Sequence, residues 1–440
     1  MFTPTQINQK LSKAIETVVE NKELYTQKPT KDFTRNKKLT MYDMIYSLLS
    51  MTGGSLTSEL FEYSKIKKIS FSKSAFVQQR SKIRPEAFRD IAKYFTDSLP
   101  TNKTFRNYRL LAVDGSRINI SKNADSNTYI VCNSNNEGFS AFHFTGLFDL
   151  ENLLYINSVI QPQSIMDERE ALCEMLRTTT FKSKSIVIMD RGYESYNTLA
   201  HLLNTPNIDF VCRGKTRQRL KLIKGLSLDQ EFDEDVSCEI TMTQKNVDKE
   251  NNRIFIQTGS KKGKTNSPKT NISKWDFPSP YTLKLRAVNV LLDNGTYELI
   301  YTSLPREQFS ANDIKYLYSK RWGIETSFRE LKYCVGITRL HCRKEELALQ
   351  EIYSAIIMYN FSQMMASISV VEQKKTNKYF YKVNFSMACR ICKEALMQGR
   401  ITDGIANIIS KYVTPVRPGR SHRRSIMAKG FVSFVYRVAA

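Results

Sequence analysis

The sequence lacks the features of secreted and membrane proteins. Its longest apolar stretch, from Ala355 to Val371, is interrupted by polar residues and falls short of the roughly 20 apolar residues that span a bilayer. The first ten residues lack the apolar core of a signal peptide, and eight cysteines scattered over 440 residues do not form a disulfide framework. We therefore expect no membrane association, and a reducing cytosol or a nucleoid as the compartment.

Acidic residues are scarce relative to basic ones. The chain has 43 Asp and Glu against 66 Lys and Arg, which gives a net charge of +23 and a pI of about 9.5. A surplus of this size indicates a polyanionic partner, and nucleic acid is the leading candidate. The last thirty residues carry no acid at all, so we expect their basic side chains to contact phosphates without regard to base sequence. These side chains are Lys411, Arg417, Arg420, Arg423, Arg424, Lys429 and Arg437.

Side chains typical of zinc sites are also few. The four histidines, at positions 143, 201, 341 and 422, are too widely spread to predict a metal site or a catalytic dyad. Cys389 and Cys392 form a CxxC pair, but no second pair lies at zinc-ribbon spacing. We expect these two cysteines to lie in the core of a helix.

The pattern of apolar residues divides the chain into helical and β-rich parts. The first hundred residues predict helices, including one behind Thr40, one opening at Ser72 and one from Pro85 to Leu99. Basic residues cluster around the second of these, as on a helix that enters a DNA groove or on a solvated basic face. After Asn107, three strands precede alternating helices and strands, which is typical of a mixed α/β sheet. A β-rich insert runs from Arg213 to Leu304, and helix returns at Ala311.

Two aspartates each follow an apolar run that reads as a buried strand. Asp114 follows Leu110–Val113, and Asp190 follows Ile186–Met189. Either one alone is more often a turn-forming residue, because Asp-Gly and Asp-x-Gly sequences make turns without chemistry. Two such strand ends in one sheet could instead place two carboxylates close enough to share divalent cations.

A third group of polar residues lies in the segment from Ile314 to Val335. At about 100° per residue of a single helix, Tyr318, Arg321, Glu325 and Lys332 fall on one stripe about 60° wide, beside an apolar stripe. This spacing places Glu325 at the rim of a buried helix face. The alternative is that Arg321 and Glu325 form an ordinary surface ion pair.

The spacing Tyr-x-x-Arg-x-x-x-Glu-x-x-x-x-x-x-Lys of these four residues resembles the signature of bacterial cut-and-paste DDE transposases of the insertion-sequence-4 group. The resemblance extends over three further motifs and the β-rich insert, and so over most of the chain. The motifs are Asp114-Gly115-Ser116, Asp190-Arg191-Gly192-Tyr193 and Tyr301-Thr302-Ser303-Leu304-Pro305, and the tail Arg417-Pro418-Gly419-Arg420-Ser421 is also similar.

The resemblance implies a fold of the α/β class, with a ribonuclease-H-like mixed-sheet core, a β-rich insertion and flanking helical regions. Residues 1–103 would form a helical domain that binds DNA ends, and residues 104–213 and 305–345 would form the two parts of the core. Residues 214–304 would be the insertion, and residues 346–440 the C-terminal helices and basic tail.

The resemblance also implies an activity. Asp114, Asp190 and Glu325 would bind two Mg²⁺ or Mn²⁺ ions, since hard oxygen ligands suit these ions. The enzyme, a homodimer on paired ends, would bind the terminal inverted repeats of its element, cleave them through a hairpin and join them to target DNA. Other readings are a domesticated DNA-binding derivative without catalysis and a nuclease of the same fold without strand transfer. Tyr318, Arg321 and Lys332 would contact DNA phosphates. Arg191 and Arg213 could be further phosphate contacts or structural ion-pair partners.

One position departs from the family pattern. In the best-known branch an aromatic residue of the insertion stacks on a flipped base, and here Glu298 occupies that position. Tyr297 is adjacent and is the expected stacking residue, with Trp275 as the alternative further back in the chain.

Overall fold

The computed structural model describes residues 2–35, 38–131, 138–217, 220–257 and 274–417. Its first part is helical, as the sequence predicts. The six helices of this part are α1 (Pro4–Glu20), α2 (Lys22–Tyr25), α3 (Met41–Ser50), α4 (Leu56–Lys67), α5 (Lys73–Arg80) and α6 (Pro85–Asp97).

Local capping explains where the predicted helices begin. The Thr40 hydroxyl accepts a hydrogen bond from the Asp43 amide at 3.1 Å, and the Asp43 carboxylate accepts one from the Thr40 amide, so α3 begins with a capping box. Ser72 caps α5 in the same way through the Ala75 amide. Pro85 occupies the first position of α6, where a missing amide does no harm. The predicted starts of these three helices are confirmed.

A mixed α/β unit follows. Its strands are β1 (Arg109–Ile120), β2 (Tyr129–Ile130), β3 (Phe139–Asp149), β4 (Leu154–Pro162), β5 (Ser185–Met189) and β6 (Ile208–Arg213), with α7 (Glu168–Thr178) before β5 and α8 (Tyr196–Asn204) after it. Strands β1, β3 and β4 pair antiparallel, whereas β5 is parallel to β1 and β6 is parallel to β5. The sequence-based prediction of a mixed sheet is therefore confirmed.

The predicted insertion extends the same sheet. It contains β7 (Phe232–Thr241), α9 (Asn246–Glu250), β8 (Ile254–Phe255), β9 (Tyr281–Leu291) and β10 (Tyr297–Thr302). Strand β10 pairs antiparallel with β6, so the described sheet has ten strands in the order β2-β3-β1-β5-β6-β10-β9-β7-β8, with β4 on β3. The insertion is thus joined to the core by backbone hydrogen bonds.

The predicted single helix from Ile314 to Val335 is wrong. The segment forms α10 (Ala311–Ser319), α11 (Trp322–Glu330) and a π turn over Leu331–Val335. At the junction, the amides of Gly323 and Ile324 bond carbonyls three residues back instead of four. A tightened turn followed by a widened one changes the angle per residue, so one helical wheel does not describe this segment.

The C-terminal elements are α12 (Glu345–Ile368), β11 (Phe380–Val383), α13 (Phe385–Gln398), α14 (Ile405–Ile409) and β12 (Val413–Val416), with β11 and β12 forming a separate two-stranded sheet. Helix α12 is buried over most of its length and shares one hydrophobic core with α1, α3 and α6. Cys389 and Cys392 are buried in α13, as expected.

Arg80 belongs to the predicted basic cluster around α5, but it is buried and does not contribute to a basic surface. Arg80 is 1% exposed, and its guanidinium bonds Gln350 at 2.8 Å, Glu351 at 2.9 Å and the Leu347 carbonyl at 2.6 Å. It therefore ties the N-terminal helices to α12 and cannot face DNA.

Two predicted features lie wholly or mainly outside the described residues. These are the basic tail after Arg417 and, within the predicted insert, most of a loop from Lys261 to Lys274 whose sequence is basic and contains Gly, Ser and Pro. Arg417 itself lies over the Tyr379 ring, with 5.5 Å between the guanidinium carbon and the ring centroid. Within the described ranges, no helix has the length and apolar character needed to cross a membrane.

Candidate active site

The sheet register brings Asp114 and Asp190 together. Val113 of β1 pairs with Met189 of β5 in a parallel ladder, and an aspartate directly follows each of these two residues in the chain. Strand β5 ends there, but β1 continues and pairs with β3, where Asp114 lies opposite Gly146. The prediction that both aspartates lie past the end of a strand is thus wrong for Asp114.

Asp190 begins a short 3₁₀ turn over Arg191–Tyr193. Its carboxylate accepts a hydrogen bond from the Arg191 amide at 2.5 Å. The Asp114 carboxylate accepts the corresponding bond from the Gly115 amide at 2.8 Å. One oxygen of each side chain is therefore held by the backbone, and this fixes both carboxylates at the edge where β5 ends.

Helix α11 adds Glu325 to this edge through Arg321. The Arg321 guanidinium donates to Asp114 at 3.0 Å through Nη1 and to Glu325 at 3.1 Å through Nη2. Arg321 is 7% exposed, so the alternative of a simple surface pair with Glu325 is wrong. The structure joins three of the sequence-predicted residues in one hydrogen-bonded group.

Negative charge accumulates around Asp114. Burial raises the pKa of its carboxyl, and the charges of Glu168 and Glu325 raise it further, against the Gly115 amide and the Arg321 guanidinium. Burial lowers the pKa of Arg321, but Tyr318, Asp114 and Asp190 outweigh it and raise the pKa overall. These couplings show that Asp190 and Glu168 also lie within electrostatic reach of the group.

Tyr318 and Lys332 flank this group along the chain. Tyr318 lies in α10, is 8% exposed, and has its pKa raised by burial and by the charge of Asp190. Lys332 lies in the π turn after α11 and is half-buried. The charge of Asp190 therefore acts on Tyr318, whereas the single helix that placed Tyr318 and Lys332 on one stripe is not formed.

Arg213 has an ion-pair partner in the insertion. Its guanidinium lies 3.0 Å from the carboxylate of Glu298, a side chain that is 8% exposed. Arg213 ends β6 and Glu298 belongs to the neighbouring strand β10, so the pair links the insertion to the core. This contact favours a structural role for Arg213 over a phosphate contact.

The aromatic residues differ in their access to solvent. Trp275 is 8% exposed and packs against Phe277 and Tyr281, so it is a core residue. Tyr297 is half-buried at the start of β10. Trp322, which the sequence analysis did not single out, is 57% exposed directly after Arg321.

An open cleft beside Asp190 is lined by basic residues. It has a volume of about 530 Å³ and is lined by Asp190, Arg191, Gly192, Lys215, Thr216 and Arg217. Arg191 is exposed there, so its side chain is free to meet an anion in the cleft. Lys215 and Arg217 were not predicted, because neither belongs to a recognised motif.

Sequence reasoning also missed Glu168 and His143. His143 Nε2 lies 2.8 Å from Glu168 Oε1, and this pair occupies the space that a side chain on Gly115 would fill. A sequence signal existed for His143, which is a polar residue inside the apolar run of β3. Glu168 had none, because it reads as an ordinary acidic residue in the first turn of α7.

The donor chemistry of the site fits a hard divalent cation. Asp114, Asp190 and Glu325 supply carboxylate oxygens, which Mg²⁺ and Mn²⁺ prefer, and the like charges around Asp114 would be relieved by a cation. In the described part of the chain, no three His, Cys, Asp or Glu side chains already have the spacing of a metal site. The guanidinium of Arg321 holds Asp114 and Glu325 instead.

Comparisons with known proteins give a consistent family. Residues 106–361 match the family described as "Transposase DDE domain". Similar curated proteins include the InsL protein of insertion sequence element IS186A from Escherichia coli strain K12 and the transposase for insertion sequence element IS421 from Escherichia coli. Each is 32% identical over 87 residues, which cover 20% of this chain and 24% of the relative. The chain thus matches about a quarter of the length of these relatives.

Among solved structures, the piggyBac transposase synaptic complex with hairpin DNA is similar in outline. The match covers 96% of this chain and 87% of that chain, at 11% identity and a TM-score of 0.44.

Proposed function

This chain belongs to the transposase DDE domain family, and from that premise we propose that it is a cut-and-paste transposase of the insertion-sequence-4 group. It binds the terminal inverted repeats of its own element, cleaves the DNA with divalent cations and joins the ends to a target. The observation that carries the proposal is the position of Asp114 and Asp190 on, or directly after, neighbouring parallel strands, with Glu325 joined to Asp114 through Arg321. The first two share a sheet edge by register, and Arg321 bonds both Asp114 and Glu325.

The sheet supports a ribonuclease-H-like core. Three antiparallel strands, β4, β3 and β1, are followed by β5 and β6, each parallel to its neighbour, with α7 and α8 as connections. In such a core the carboxylates belong on the central strands, or directly after them, and on a following helix. The proposed division into residues 104–213 and 305–345 agrees with this order, with 214–304 as an insertion that continues the sheet.

Asp114, Asp190 and Glu325 would hold two Mg²⁺ or Mn²⁺ ions. When bound, the ions would activate the attacking oxygen and stabilise the leaving oxygen of a phosphodiester. The protein's own contribution is positioning: the backbone amides of Gly115 and Arg191 fix one oxygen of each aspartate. When the ions bind the carboxylates, the guanidinium of Arg321 would exchange its bonds to Asp114 and Glu325 for bonds to a phosphate.

DNA contacts would extend from the carboxylates in both directions. Lys332 and Arg191 would bind neighbouring phosphates, and the basic cleft beside Asp190 would carry the strand past the site. Tyr318, next to Asp190, would donate a hydrogen bond to the phosphate of a nucleotide distorted during hairpin formation. Tyr297 would stack on its base, and the exposed Trp322 offers a second surface for stacking.

The whole-chain arrangement follows from the same proposal. Residues 1–103 would bind the element ends, and the surplus of positive charge would draw the protein to DNA in the nucleoid. A homodimer on paired ends would bring the two reactions together. Residues 346–440 would add helices and a basic tail.

A strand-transfer reaction tests the function. The DNA flanking the coding region supplies the inverted repeats, which are placed on a linear donor and mixed with the purified protein, Mg²⁺ and a supercoiled target plasmid. We expect cleaved flanks, hairpin ends and joined products. Cleavage without joining would support the nuclease reading, and binding of the repeats without cleavage would support the domesticated one.

A further inference from the structure

Glu168 reaches the candidate active site between two glycines. A side chain on Gly115 would meet Glu168 Oε1 at 2.1 Å, and one on Gly192 would meet Glu168 Oε2 at 3.7 Å. Gly115 directly follows Asp114, and Gly192 lies two residues after Asp190. The carboxylate of Glu168 therefore lies between the two aspartate-bearing segments, in the space that a side chain on Gly115 would fill and at ordinary contact distance from Gly192.

His143 holds Glu168 in this place. His143 is 7% exposed on β3, and its Nε2 hydrogen-bonds Oε1 of Glu168 at 2.8 Å. The second oxygen, Oε2, has no such bond to His143 and is the one nearer Gly192. Helix α7 begins at Glu168, with Asp167 as its cap, so the backbone at this point is fixed as well.

Tyr193 supplies an independent sign that a ligand belongs here. Its side chain is 1% exposed, and its hydroxyl has no hydrogen-bond partner among the described residues. Tyr193 ends the 3₁₀ turn that Asp190 begins. Burial raises the pKa of Tyr193, and the charges of Glu168, Asp114 and Asp190 raise it further. A buried hydroxyl normally has a hydrogen-bond partner, so the hydroxyl of Tyr193 is available to a ligand from outside the protein.

We propose that Glu168 is a fourth carboxylate of the catalytic centre, and that it binds a divalent cation through a water molecule that Tyr193 also contacts. His143 is the positioning residue for Glu168. This inference rests on the proposed function, because it adds a residue to the same metal centre.

The arrangement also explains the glycine of Asp114-Gly115-Ser116. Any larger residue at position 115 would displace the Glu168 carboxylate or the His143 ring. A turn alone would not require glycine here, since Gly115 lies inside strand β1 and pairs with Thr145 of β3.

Direct measurement of Mn²⁺ binding to the full chain, by calorimetry and by electron paramagnetic resonance, tests the proposal without DNA. We expect Glu168→Gln to weaken Mn²⁺ binding by roughly tenfold to a hundredfold, the range seen when partners of metal ligands are removed. Glu174→Gln is the matched control, because Glu174 is exposed on the same helix, and it should bind Mn²⁺ as wild type does.

Asp114→Asn distinguishes a failure of the proposal for Glu168 from a failure of the proposed metal centre. If Asp114→Asn weakens Mn²⁺ binding and Glu168→Gln changes it less than twofold, the role of Glu168 is refuted and the proposed function stands. If wild type binds no Mn²⁺, or Asp114→Asn binds it as tightly as wild type, the metal centre and the role of Glu168 are both refuted.

Two further measurements test the role of Glu168, and the first of them does not depend on how well Glu168→Gln folds. In wild type, Fe²⁺ with ascorbate and peroxide should cut the main chain beside Glu168 as well as beside Asp114, Asp190 and Glu325, and cuts at the three without one at Glu168 would contradict the proposal. His143→Phe should weaken Mn²⁺ binding in wild type but not in Glu168→Gln, and His143→Gln should restore most of it. Equal effects of His143→Phe in both backgrounds would show that His143 acts on the fold and not through Glu168.

Discussion

Arg321 is the residue that bonds two of the three proposed metal-binding carboxylates. Its guanidinium lies 3.0 Å from Asp114 and 3.1 Å from Glu325. A positive charge at this distance opposes the binding of a cation to the same carboxylates. We expect Arg321→Met to bind Mn²⁺ about tenfold more tightly than wild type, measured by calorimetry, and to cleave DNA more slowly because a phosphate contact is lost.

Arg329→Met is the control for this prediction. Arg329 is exposed on the same helix, α11, and its replacement removes the same charge without touching the carboxylates. Weaker or unchanged Mn²⁺ binding by Arg321→Met would mean that the guanidinium supports the carboxylates in the metal-bound state.

The candidate site residues that could be predicted from the sequence are those that belong to local patterns. Asp114 and Asp190 each follow an apolar run, and the spacing of Arg321 and Glu325 places them on one face of a helical turn. Glu168 was missed because its approach depends on the absence of a side chain at Gly115 of β1 and on His143 of β3. Contacts of this kind depend on how strands and helices pack, and no local pattern records them.

At the scale of elements, the position of α11 depends on Gly323. A side chain there would meet the Leu150 Cδ2 at 2.6 Å, so the helix lies close to the turn between β3 and β4. Gly323→Ala should push α11 outward, cost about 1–3 kcal/mol of folding free energy as overpacking does, and slow DNA cleavage by displacing Glu325. Urea unfolding and a single-turnover cleavage assay measure the two effects.

Leu150→Ala provides the matched test, since it removes the atom that the new methyl group meets. The double variant should recover cleavage relative to Gly323→Ala alone. Cleavage by Gly323→Ala at the wild-type rate would show that α11 tolerates the shift without moving Glu325.

An ion pair links strands β7 and β9 within the insertion, and its contribution to stability depends on pH. The Arg286 guanidinium, 4% exposed, donates to both oxygens of Asp233 at 2.7 and 2.6 Å, and this hydrogen bonding is the main cause of the lowered pKa of Asp233. A lowered pKa in the folded state stabilises the fold above the unfolded pKa of about 3.9, and this stabilisation is lost as the pH falls through the folded-state pKa.

Asp233→Asn should therefore lower the free energy of unfolding by about 3 kcal/mol near pH 7, since it leaves a buried guanidinium without its carboxylate. The difference from wild type should shrink below about pH 4. Urea unfolding from pH 3 to 7 measures it, with the exposed Asp235→Asn as control. A difference that stays constant over this range would contradict the assignment.

The sequence predicts the types of the helices and strands well. It does not predict where one helix ends and the next begins when the number of residues per turn changes. Strand β5 and the starts of α3, α5 and α6 agree with the sequence because caps and apolar runs are local. The division of Ile314–Val335 into α10, α11 and a π turn was missed because the apolar stripe continues through it.

At the scale of the whole molecule, Arg80 connects segments far apart in the chain. Its partner Gln350 lies 270 residues later in the chain. Because no local pattern indicates so distant a partner, the sequence around α5 does not reveal that Arg80 is buried. Arg80→Ala leaves Glu351 without its guanidinium, and we expect a loss of about 3–5 kcal/mol in the free energy of unfolding. Because α1, α3, α6 and α12 share one core, the loss should appear in one transition.

Lys73→Ala is the control, because Lys73 is exposed at the start of α5. It should leave stability within about 0.5 kcal/mol of wild type. Separate unfolding of the N-terminal helices in Arg80→Ala, seen as a second transition in urea, would mean that they fold independently of α12.

The most direct test of the central claim is the rate of the first nick on DNA that carries the element ends. In single-turnover reactions with Mg²⁺, Asp114→Asn, Asp190→Asn and Glu325→Gln should each slow the nick by at least roughly a thousandfold. Binding of the ends should remain within a few-fold of wild type, because these side chains bind metal and do not read bases. Nicking by any of the three at a tenth of the wild-type rate or faster would contradict the account.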